Sequence, residues 1–509
     1  MIRRIAVVVV AVVGTIGLTM LLPAEGPAPA TPTLLPDPVV LGASAEASTW
    51  YCTASSDASA TPTTHVVTIG NPTGRALSAA VSGYGSTAGA APTTTTVQLP
   101  ARTSVNVDRA GLGGDATGAV MVEASGGGIV VSHRLVNGRT SDEVPCATAP
   151  SGAWYFSAVN TQLGNSARLW LFNPFAADAA VDITVAYADG VRIPRAFSGL
   201  VIPARTARLV DLGATVQRRD QFAIAVNARA GQFTAELVQH VEGAGLRVDP
   251  GMSRTSRRIM FADSFGAANV TERLVVFNPG RVAATATVSV RPDGADSAAY
   301  PEPFTLDVPA RRYVELNLES ETRLSPTGSR TLVVDTDLPG GLVATRVVAA
   351  TKAPNGLGVE AGLANSAAGT VAAGTWVVPR IDPAAPGRSF VRIVNTSTDS
   401  IAVVRLIVAA AGKDLDAVPG GKVEVPAAGA ITIDVGAAVP ADTQGVLTVA
   451  SSAPIVVERR AAASNSGDFW TLSAVPVAST VAPLGELPGI PRASATTQPS
   501  ATPPTVTTK

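Results

Sequence analysis

Apolar and polar side chains alternate with a period of two in several separate stretches of the chain. From Val181 to Tyr187 the odd positions carry Val, Ile, Val and Tyr, while the even positions carry Asp, Thr and Ala. Residues 313–318 and 431–435 alternate in the same way. Because a strand places successive side chains on opposite faces, this pattern is typical of half-buried strands in antiparallel sheets. It predicts many short strands and no helix of useful length.

A four-fold internal repeat organises these strands. An Asn-Pro or Asn-Thr dipeptide is followed 29 to 31 residues later by Pro-Ala, and a bulky aromatic residue precedes it by 17 to 21 residues. Near-constant spacing indicates one supersecondary unit that is used several times. The repeat-defining residues are the aromatics Trp50, Trp154, Phe261 and Trp376, the asparagines Asn71, Asn173, Asn278 and Asn395, and the prolines Pro100, Pro203, Pro309 and Pro426.

Each repeat has the size of one small β domain. Proline lacks the N–H that a central ladder needs, so the strand before each Asn-Pro should end there. The six or seven short strands expected in about 100 residues are typical of an immunoglobulin-like sandwich. The predicted fold is all-β, with four tandem immunoglobulin-like β-sandwich modules after an N-terminal signal or anchor helix. The predicted modules span 49–148, 149–255, 256–375 and 376–479.

The first residues indicate export. Arg3 and Arg4 precede a run of 18 residues without charge, 5–22, and a positive start before such a run is typical of an export signal. The run is long for a signal-peptide core and short for a spanning helix, so a cleaved signal and an uncleaved anchor both stay open. The segments outside the modules are a signal peptide or membrane anchor at 1–22, a Pro/Ala/Thr-rich spacer at 23–48 and a disordered Pro/Thr/Ser-rich tail at 484–509.

Two cysteines support the same compartment. Cys52 and Cys146 bracket the first repeat, and two cysteines in an exported chain are expected to form one disulfide. Closing a loop of about 95 residues would contribute about 4–5 kcal/mol in the chain-entropy model. Two free thiols are the alternative, and a metal site is disfavoured because no histidines stand nearby to complete it.

Composition excludes some classes of function. Charged residues make up 15% of the 509 residues, apolar residues 46%, and the formal net charge is −1. Such a chain has no strong field to attract nucleic acid, so a nucleic-acid partner is not expected.

Signals for catalysis are scarce. No nucleophile elbow, phosphate-binding loop or zinc-protease motif occurs. Aligned on the repeat, His133, His240, Thr345 and Glu458 form one column, and a column that accepts such different residues predicts an exposed strand position. The opening aromatics could line a sugar-binding face, but their regular placement favours a core or packing role. No catalytic, cofactor-binding or metal-binding residue is predicted, and no enzyme activity is expected.

The end of the last repeat is ambiguous in the sequence. The segment around Phe469 and Trp470 echoes the residues that open the second repeat at Trp154. It is either an edge strand of the fourth module or a truncated fifth repeat.

These features together resemble a family of uncharacterised proteins. The Trp50-Tyr51-Cys52 start after an export segment, Cys146 before the next aromatic start, and the Asn-Pro and Pro-Ala repeats are similar to secreted or membrane-anchored actinobacterial proteins of unknown function. The resemblance implies a cell-envelope location and carries over no functional residue. We therefore expect a non-enzymatic exported envelope protein, membrane-anchored or secreted, that acts as a structural or protein-interaction module. The alternative is a glycan-binding accessory protein in surface-polysaccharide assembly; expected partners are an envelope protein or glycan, and the membrane through residues 5–22 if they are uncleaved.

Overall fold

The computed structural model describes residues 37–55, 63–113, 117–138, 140–294, 299–351, 361–366, 368–382, 389–440, 443–462 and 469–484. The predictions for residues 1–22, for most of the spacer and for nearly all of the tail lie outside these residues. Within them the chain is all-β, as predicted, and its helical segments are single turns. These turns are Ala110–Leu112, Arg195–Phe197, Leu212–Thr215, Leu318–Ser320, Pro419–Gly421, Gly436–Ala438 and Ala478–Thr480.

The first part of the described chain forms two four-stranded antiparallel sheets, which we call sheet pair 1. Their strand orders are β1-β6-β3-β4 and β5-β2-β7-β8. The strands are β1 Ser48–Cys52, β2 Thr63–Asn71, β3 Leu77–Gly83, β4 Thr93–Leu99, β5 Thr103–Asp108, β6 Val120–Ala124, β7 Val130–Asn137 and β8 Thr140–Pro145.

Sheet pair 2 follows with sheets ordered β12-β11-β15-β9 and β14-β10-β16-β17, and β13 also pairs with β11. Its strands are β9 Ala153–Val159, β10 Ser166–Asn173, β11 Ala179–Ala186, β12 Val191–Arg192, β13 Leu200–Ile202, β14 Thr206–Asp211, β15 Phe222–Ala230, β16 Thr234–Val241 and β17 Gly245–Asp249.

Sheet pair 3 has the orders β18-β23-β20-β21 and β22-β19-β24-β25. Its strands are β18 Arg258–Gly266, β19 Val270–Phe277, β20 Ala284–Pro292, β21 Phe304–Val308, β22 Tyr313–Asn317, β23 Gly328–Thr336, β24 Val343–Ala350 and β25 Gly362–Ser366.

The last part forms one ten-stranded sheet. The 18-residue strand β32 joins its two halves, because its first part pairs with β26 and β28 and its second part with β27 and β33. The strands are β26 Val371–Ile381, β27 Ser389–Asn395, β28 Ala402–Ala410, β29 Lys413–Asp416, β30 Lys422–Val425, β31 Ala430–Asp434, β32 Gly445–Ala462, β33 Phe469–Ser473, β34 Val475–Pro476 and β35 Val481–Pro483.

One hydrophobic core lies between the sheets of each part. In β11 the burial alternates along the strand, so Val181, Ile183 and Val185 point into the core, as the period-two pattern predicts. The predicted alternating stretch 313–318 ends early, since Leu318 lies in a single helical turn after β22. The ambiguous segment at Phe469 belongs to the fourth part, because β33 pairs with the second half of β32.

The four parts contact one another in cyclic order. Strand β8 lies beside β17, β17 beside β25, β25 beside β33, and β33 beside β8. The two ends of the described chain meet through a bridge between Val40 and Val477. At Gly70 of β2 the approach is tight, because a Cβ there would lie 2.6 Å from Val446 and 3.1 Å from the carbonyl oxygen of Pro379. A larger residue at this position would therefore push the ten-stranded sheet away from sheet pair 1.

Candidate functional site

The repeat-defining asparagines and prolines meet in space. Each asparagine is fully buried at the end of a strand, and its amide Nδ2 donates to the carbonyl oxygen of the residue just before the repeat proline. Because this amide satisfies a buried carbonyl about 30 residues away, it fastens two strand ends together. The Nδ2–O distances are 3.0 Å from Asn71 to Leu99, 3.0 Å from Asn173 to Ile202, 3.1 Å from Asn278 to Val308 and 3.1 Å from Asn395 to Val425.

The turn after each repeat proline has the same backbone form in all four places. The second residue after Pro100, Pro203, Pro309 and Pro426 adopts a positive φ, and its N–H donates to the carbonyl of the second residue after the repeat asparagine. Both halves of the sequence motif therefore belong to one structural unit. The φ values are 57° at Arg102, 52° at Arg205, 57° at Arg311 and 51° at Ala428, and the four N–O distances are 3.1, 3.0, 3.0 and 2.7 Å.

The opening aromatics are core residues. Trp50 and Phe261 are 0% exposed, and Trp154 and Trp376 are 3% exposed. The indole N–H groups of Trp154 and Trp376 each donate to a backbone carbonyl 2.9 Å away, that of Phe233 and that of Ile455. Side chains buried in this way are not available to stack on a sugar ring.

The predicted disulfide is confirmed. Cys52 at the end of β1 and Cys146 just after β8 are bonded, with their Cα atoms 4.6 Å apart. The bond ties the start of sheet pair 1 to its last strand, and both residues lie in its core.

The most concentrated polar chemistry lies between the four parts. The outer face of each sheet that ends in β8, β17, β25 or β33 is covered by the first strand of the part before it. We call these contacts joints: the first joins sheet pairs 1 and 2, the second pairs 2 and 3, the third pair 3 and the ten-stranded sheet, and the fourth the ten-stranded sheet and pair 1. Their apolar clusters include Tyr84 with Phe172, Ala225 with Phe277, Met260 with Val456, and Val377 with Val130.

The expectation of an exposed column at His133, His240, Thr345 and Glu458 is wrong. His133, Thr345 and Glu458 are 1%, 6% and 3% exposed, and His240 is half-buried. The histidines were also aligned wrongly with the other two residues. In each repeat, the equivalent residue is the one that pairs with the position three residues before the repeat asparagine. These residues are Ser132, Glu236, Thr345 and Glu458. A period-two pattern identifies the outward face of a strand, but it does not show that another sheet covers that face.

The first joint contains a chain of three buried ionisable groups. His133 Nε2 lies 3.0 Å from Glu236 Oε2, and His133 Nδ1 lies 3.1 Å from Nε2 of His65. Glu236 also accepts the N–H of Ala54 at 2.6 Å, across the joint. Burial lowers the pKa of His65 well below its usual value, and His133 and Arg109 lower it further. His65 is therefore neutral at pH 7.

The second joint has fewer charged contacts. Ser157 donates to Thr345, with their hydroxyl oxygens 2.7 Å apart, and the Tyr313 hydroxyl donates to the carbonyl of Gln221 at 3.1 Å. The buried Arg247 donates to the carbonyl of Ala158, and burial lowers its pKa to about 10.

The third joint is a network of buried ion pairs. Arg346, which is 0% exposed, lies 2.9 Å from Glu272 and 2.8 Å from Glu458, so one guanidinium joins sheet pair 3 to the ten-stranded sheet. Arg330 lies 2.7 Å from the second oxygen of Glu272. The second oxygen of Glu458 accepts the N–H of Asp263 at 2.9 Å. Burial raises the pKa of Glu458, and the ion pair with Arg346 opposes this rise.

The fourth joint brings together three arginines and two carboxylates. Arg380 binds Asp382 through Nε at 2.7 Å and Nη2 at 2.5 Å, and its Nη1 lies 4.0 Å from Glu143. Arg134 is opposite Glu143 in the pairing of β7 with β8, and Arg459 donates to Ser389 at 3.2 Å. At the rim of the joint, Arg102 pairs with Asp414 at 2.8 Å.

Sequence reasoning did not find the charged residues of these joints. A signal was present, because Glu458, Arg459 and Arg460 are consecutive charges inside a long apolar stretch of a chain with few charges. Long charged side chains are rarely fully buried unless they are paired, so their burial here requires partners from another part of the chain.

The described residues contain neither a metal-binding cluster nor a membrane-spanning helix. No group of three or more His, Cys, Asp or Glu side chains in the described ranges is placed to hold a metal ion. Among the same residues, no helix has the length and apolar character needed to span a bilayer.

One stretch of the chain matches a protein-family profile. Residues 137–250, which contain β8 and sheet pair 2, are similar to a family of unknown function (DUF5719). The match covers less than a quarter of the chain and agrees with the resemblance to an uncharacterised family. No curated protein and no solved structure matches the chain.

Proposed function

We propose that the chain is a non-enzymatic exported cell-envelope protein that acts as a rigid structural or protein-interaction module. The observation that carries this proposal is the use of buried charged side chains to join one sheet to the next. His133 with Glu236, and Arg346 with Glu458, connect different parts of the chain. A platform held in this way keeps its outer loops and edge strands in fixed positions, which suits the presentation of a binding surface.

The finer architecture is part of the proposal. We infer four tandem immunoglobulin-like modules that close into a ring, bounded close to the predicted residues 49–148, 149–255, 256–375 and 376–479. The recurrence of the asparagine–carbonyl bond in all four parts supports one repeated unit. The shared strand order of sheet pairs 1 to 3 supports it too.

The disulfide supports an extracytoplasmic location. Disulfides form and persist in oxidising compartments and are rare in the cytosol. With the bond between Cys52 and Cys146, we propose that the chain is secreted or anchored in the cell envelope, with residues 5–22 in the membrane if they are uncleaved. The actinobacterial affinity indicated by the sequence resemblance belongs to this proposal.

Glycan binding is the less favoured candidate. Its main sequence support was the repeated aromatic residues, and Trp50, Trp154, Phe261 and Trp376 are buried in the cores. Glycan binding is therefore one outcome that the following experiment distinguishes.

The proposal is tested by affinity capture from envelope extracts with the tagged full-length chain, analysed for proteins and for polysaccharide. Two matched bait variants place a charge on different sheet edges: Thr95→Lys on β4 and Thr305→Lys on β21, both at exposed positions. Since a charge on an edge strand blocks pairing with another chain, a partner that adds a strand to one edge should be lost by one bait and kept by the other.

Capture of one envelope protein that depends on a single edge would support the interaction role. Retention of polysaccharide alone would replace it with the glycan-binding role. Turnover of the captured material during incubation would contradict the non-enzymatic assignment.

A further inference from the structure

Counted over the described residues, the fourth joint carries an excess of positive charge in a buried place. Three guanidinium groups, those of Arg134, Arg380 and Arg459, face two carboxylates, Glu143 and Asp382. Arg380 and Arg459 are 4% and 1% exposed, and Arg134 is half-buried. The third joint, by contrast, balances Arg330, Arg346 and Arg460 against Glu272, Glu458 and Asp263.

Among the described residues, each of the three arginines has one buried nitrogen for which no hydrogen-bond partner is found. These atoms are Nε of Arg134, Nη1 of Arg380 and Nη1 of Arg459. The 4.0 Å between Arg380 Nη1 and the nearest oxygen of Glu143 is too long for a hydrogen bond. A buried N–H of a charged group without an acceptor is costly, so three of them in one cluster indicate an acceptor that comes from outside the chain.

One carboxylate oxygen completes the pattern. Glu143 Oε1 accepts the hydroxyl of Ser132 at 2.6 Å, while Oε2 has no hydrogen-bond partner within the described part of the chain. The cluster thus offers three donors from three side chains and one acceptor. An oxyanion that also carries a hydroxyl matches this set, because its oxygens accept from the arginines and its hydroxyl donates to Glu143.

We propose that the fourth joint binds one hydrogen-bearing oxyanion of the phosphate type, between Arg134, Arg380 and Arg459, with Glu143 accepting its hydroxyl. Electrostatics supports the placement. Burial lowers the pKa of Arg459, and Arg380 and Arg134 lower it further; burial also lowers the pKa of Arg134, and Arg380 lowers it further. Glu143 and Asp382 hold the pKa of Arg380 above its ordinary value despite its burial. An added anion would offset this repulsion. The side chain of Asp382 is 24% exposed, so the cluster reaches solvent at that end.

The ligand would also strengthen the ring. Arg134 and Glu143 belong to sheet pair 1, and Arg380 and Arg459 belong to the ten-stranded sheet. An anion bound by both sides joins the last part of the chain to the first. Because a ligand that binds only the folded state stabilises it, phosphate should raise the midpoint of thermal unfolding.

The experiment is calorimetric titration of the full-length chain with inorganic phosphate at pH 7 and constant ionic strength, compared with sulfate and chloride. Sulfate has the charge and shape of the ligand but no hydroxyl at pH 7, and it would face Glu143 without a donor. We expect phosphate to bind at least about tenfold more tightly than sulfate, and chloride to show no saturable binding.

Three variants assign the binding to these side chains. Arg134→Gln should weaken phosphate binding by about 10- to 100-fold, because one charged donor is lost. Glu143→Gln replaces the acceptor with an amide and should reduce or reverse the preference for phosphate over sulfate. Arg102→Gln, at the exposed rim of the same joint, is the matched control and should leave the affinity unchanged.

Folding of each variant is checked by circular dichroism. If Arg134→Gln does not fold, Arg134→Lys replaces it in the titration, because lysine keeps the positive charge and lacks the Nε donor. Equal weak binding of phosphate and sulfate would overturn the proposed role of Glu143. A folded Arg134 variant with wild-type affinity would overturn the site. No saturable heat with phosphate would mean that water alone fills these hydrogen bonds, which would also overturn the site. None of these results depends on the proposed function.

Discussion

The first and third joints use one design with two different basic residues. In each, a glutamate on the second sheet accepts a backbone N–H from the part before it: Glu236 from Ala54, two residues after β1, at 2.6 Å, and Glu458 from Asp263 of β18 at 2.9 Å. The partner of the glutamate is His133 in the first joint and Arg346 in the third.

The two basic residues occupy the same place in the repeat. His133 pairs with Val67 and Arg346 with Leu274, and both of these residues stand four positions before the repeat asparagine. A guanidinium stays charged at every ordinary pH, whereas an imidazole changes its charge near neutrality. At this one position of the repeat the chain carries either an arginine or a histidine, and at the histidine a second buried imidazole, that of His65, joins the contact. The contact can be removed at either joint without changing the other.

The largest effect is expected from loss of the disulfide near the first joint. Cys52 lies two residues before Ala54, which donates to Glu236. In the double variant Cys52→Ala, Cys146→Ala, the free energy of unfolding should fall by about 4–5 kcal/mol in the chain-entropy model. Urea unfolding of the full-length chain measures this loss. Hydrogen exchange should show faster exchange of the Ala54 amide and unchanged exchange of the Asp263 amide; equal acceleration at both would contradict a local role of the bond.

The next effect is expected from Arg346→Met in the third joint. The substitution leaves Glu272 and Glu458 buried without their shared cation, and removing one partner from a buried ion pair costs about 3–5 kcal/mol. Exchange should now accelerate at the Asp263 amide and not at Ala54, the reverse of the cysteine variant. Arg229→Met is the control, because its ion pair with Asp182 is at the surface and should contribute little. An Arg346 variant as stable as this control would show that the network does not hold the joint.

Much of each part could be predicted from the sequence, and little of the joints. Alternation identified strands such as β11, and the spacing of asparagine and proline identified two positions that bond to each other. Such signals are local or repeated. The contact of Arg346 with Glu458 joins residues 112 positions apart, and no spacing within one repeat predicts it. The short last strands, such as β17 with five buried residues, also lack alternation because both of their faces are covered.

A third prediction concerns the feature that both joints share. The repeat asparagine bonds within its own part, so its loss should cost the same on either side of a joint. Asn173→Ala and Asn278→Ala should each lower the free energy of unfolding by about 2–3 kcal/mol, because buried carbonyls lose their donor. Asn227→Ala, at an exposed position of β15, should stay within about 0.5 kcal/mol of wild type. A large difference between the two buried asparagines would mean that the joints, and not the repeat, set the stability.

The smallest effect is a dependence on pH that the first joint contributes through His65. The pKa of the buried His65 is held well below 6.5 by burial, by His133 and by Arg109, so the folded chain keeps this ring neutral. Below pH 6.5 the unfolded chain takes up a proton at His65 that the folded chain does not, and the free energy of unfolding should fall as the pH falls. One proton corresponds to about 1.4 kcal/mol per pH unit at most. Urea titrations at pH 7.5 and at pH 5.5 measure the free energy of unfolding. Between these two pH values the wild type should lose about 1 kcal/mol more of it than His65→Gln does. Equal losses would mean that His65 already takes up its proton in the folded chain. Arg229→Met, whose ion pair with Asp182 lies at the surface, is the control and should keep the wild-type pH dependence between pH 7.5 and 5.5.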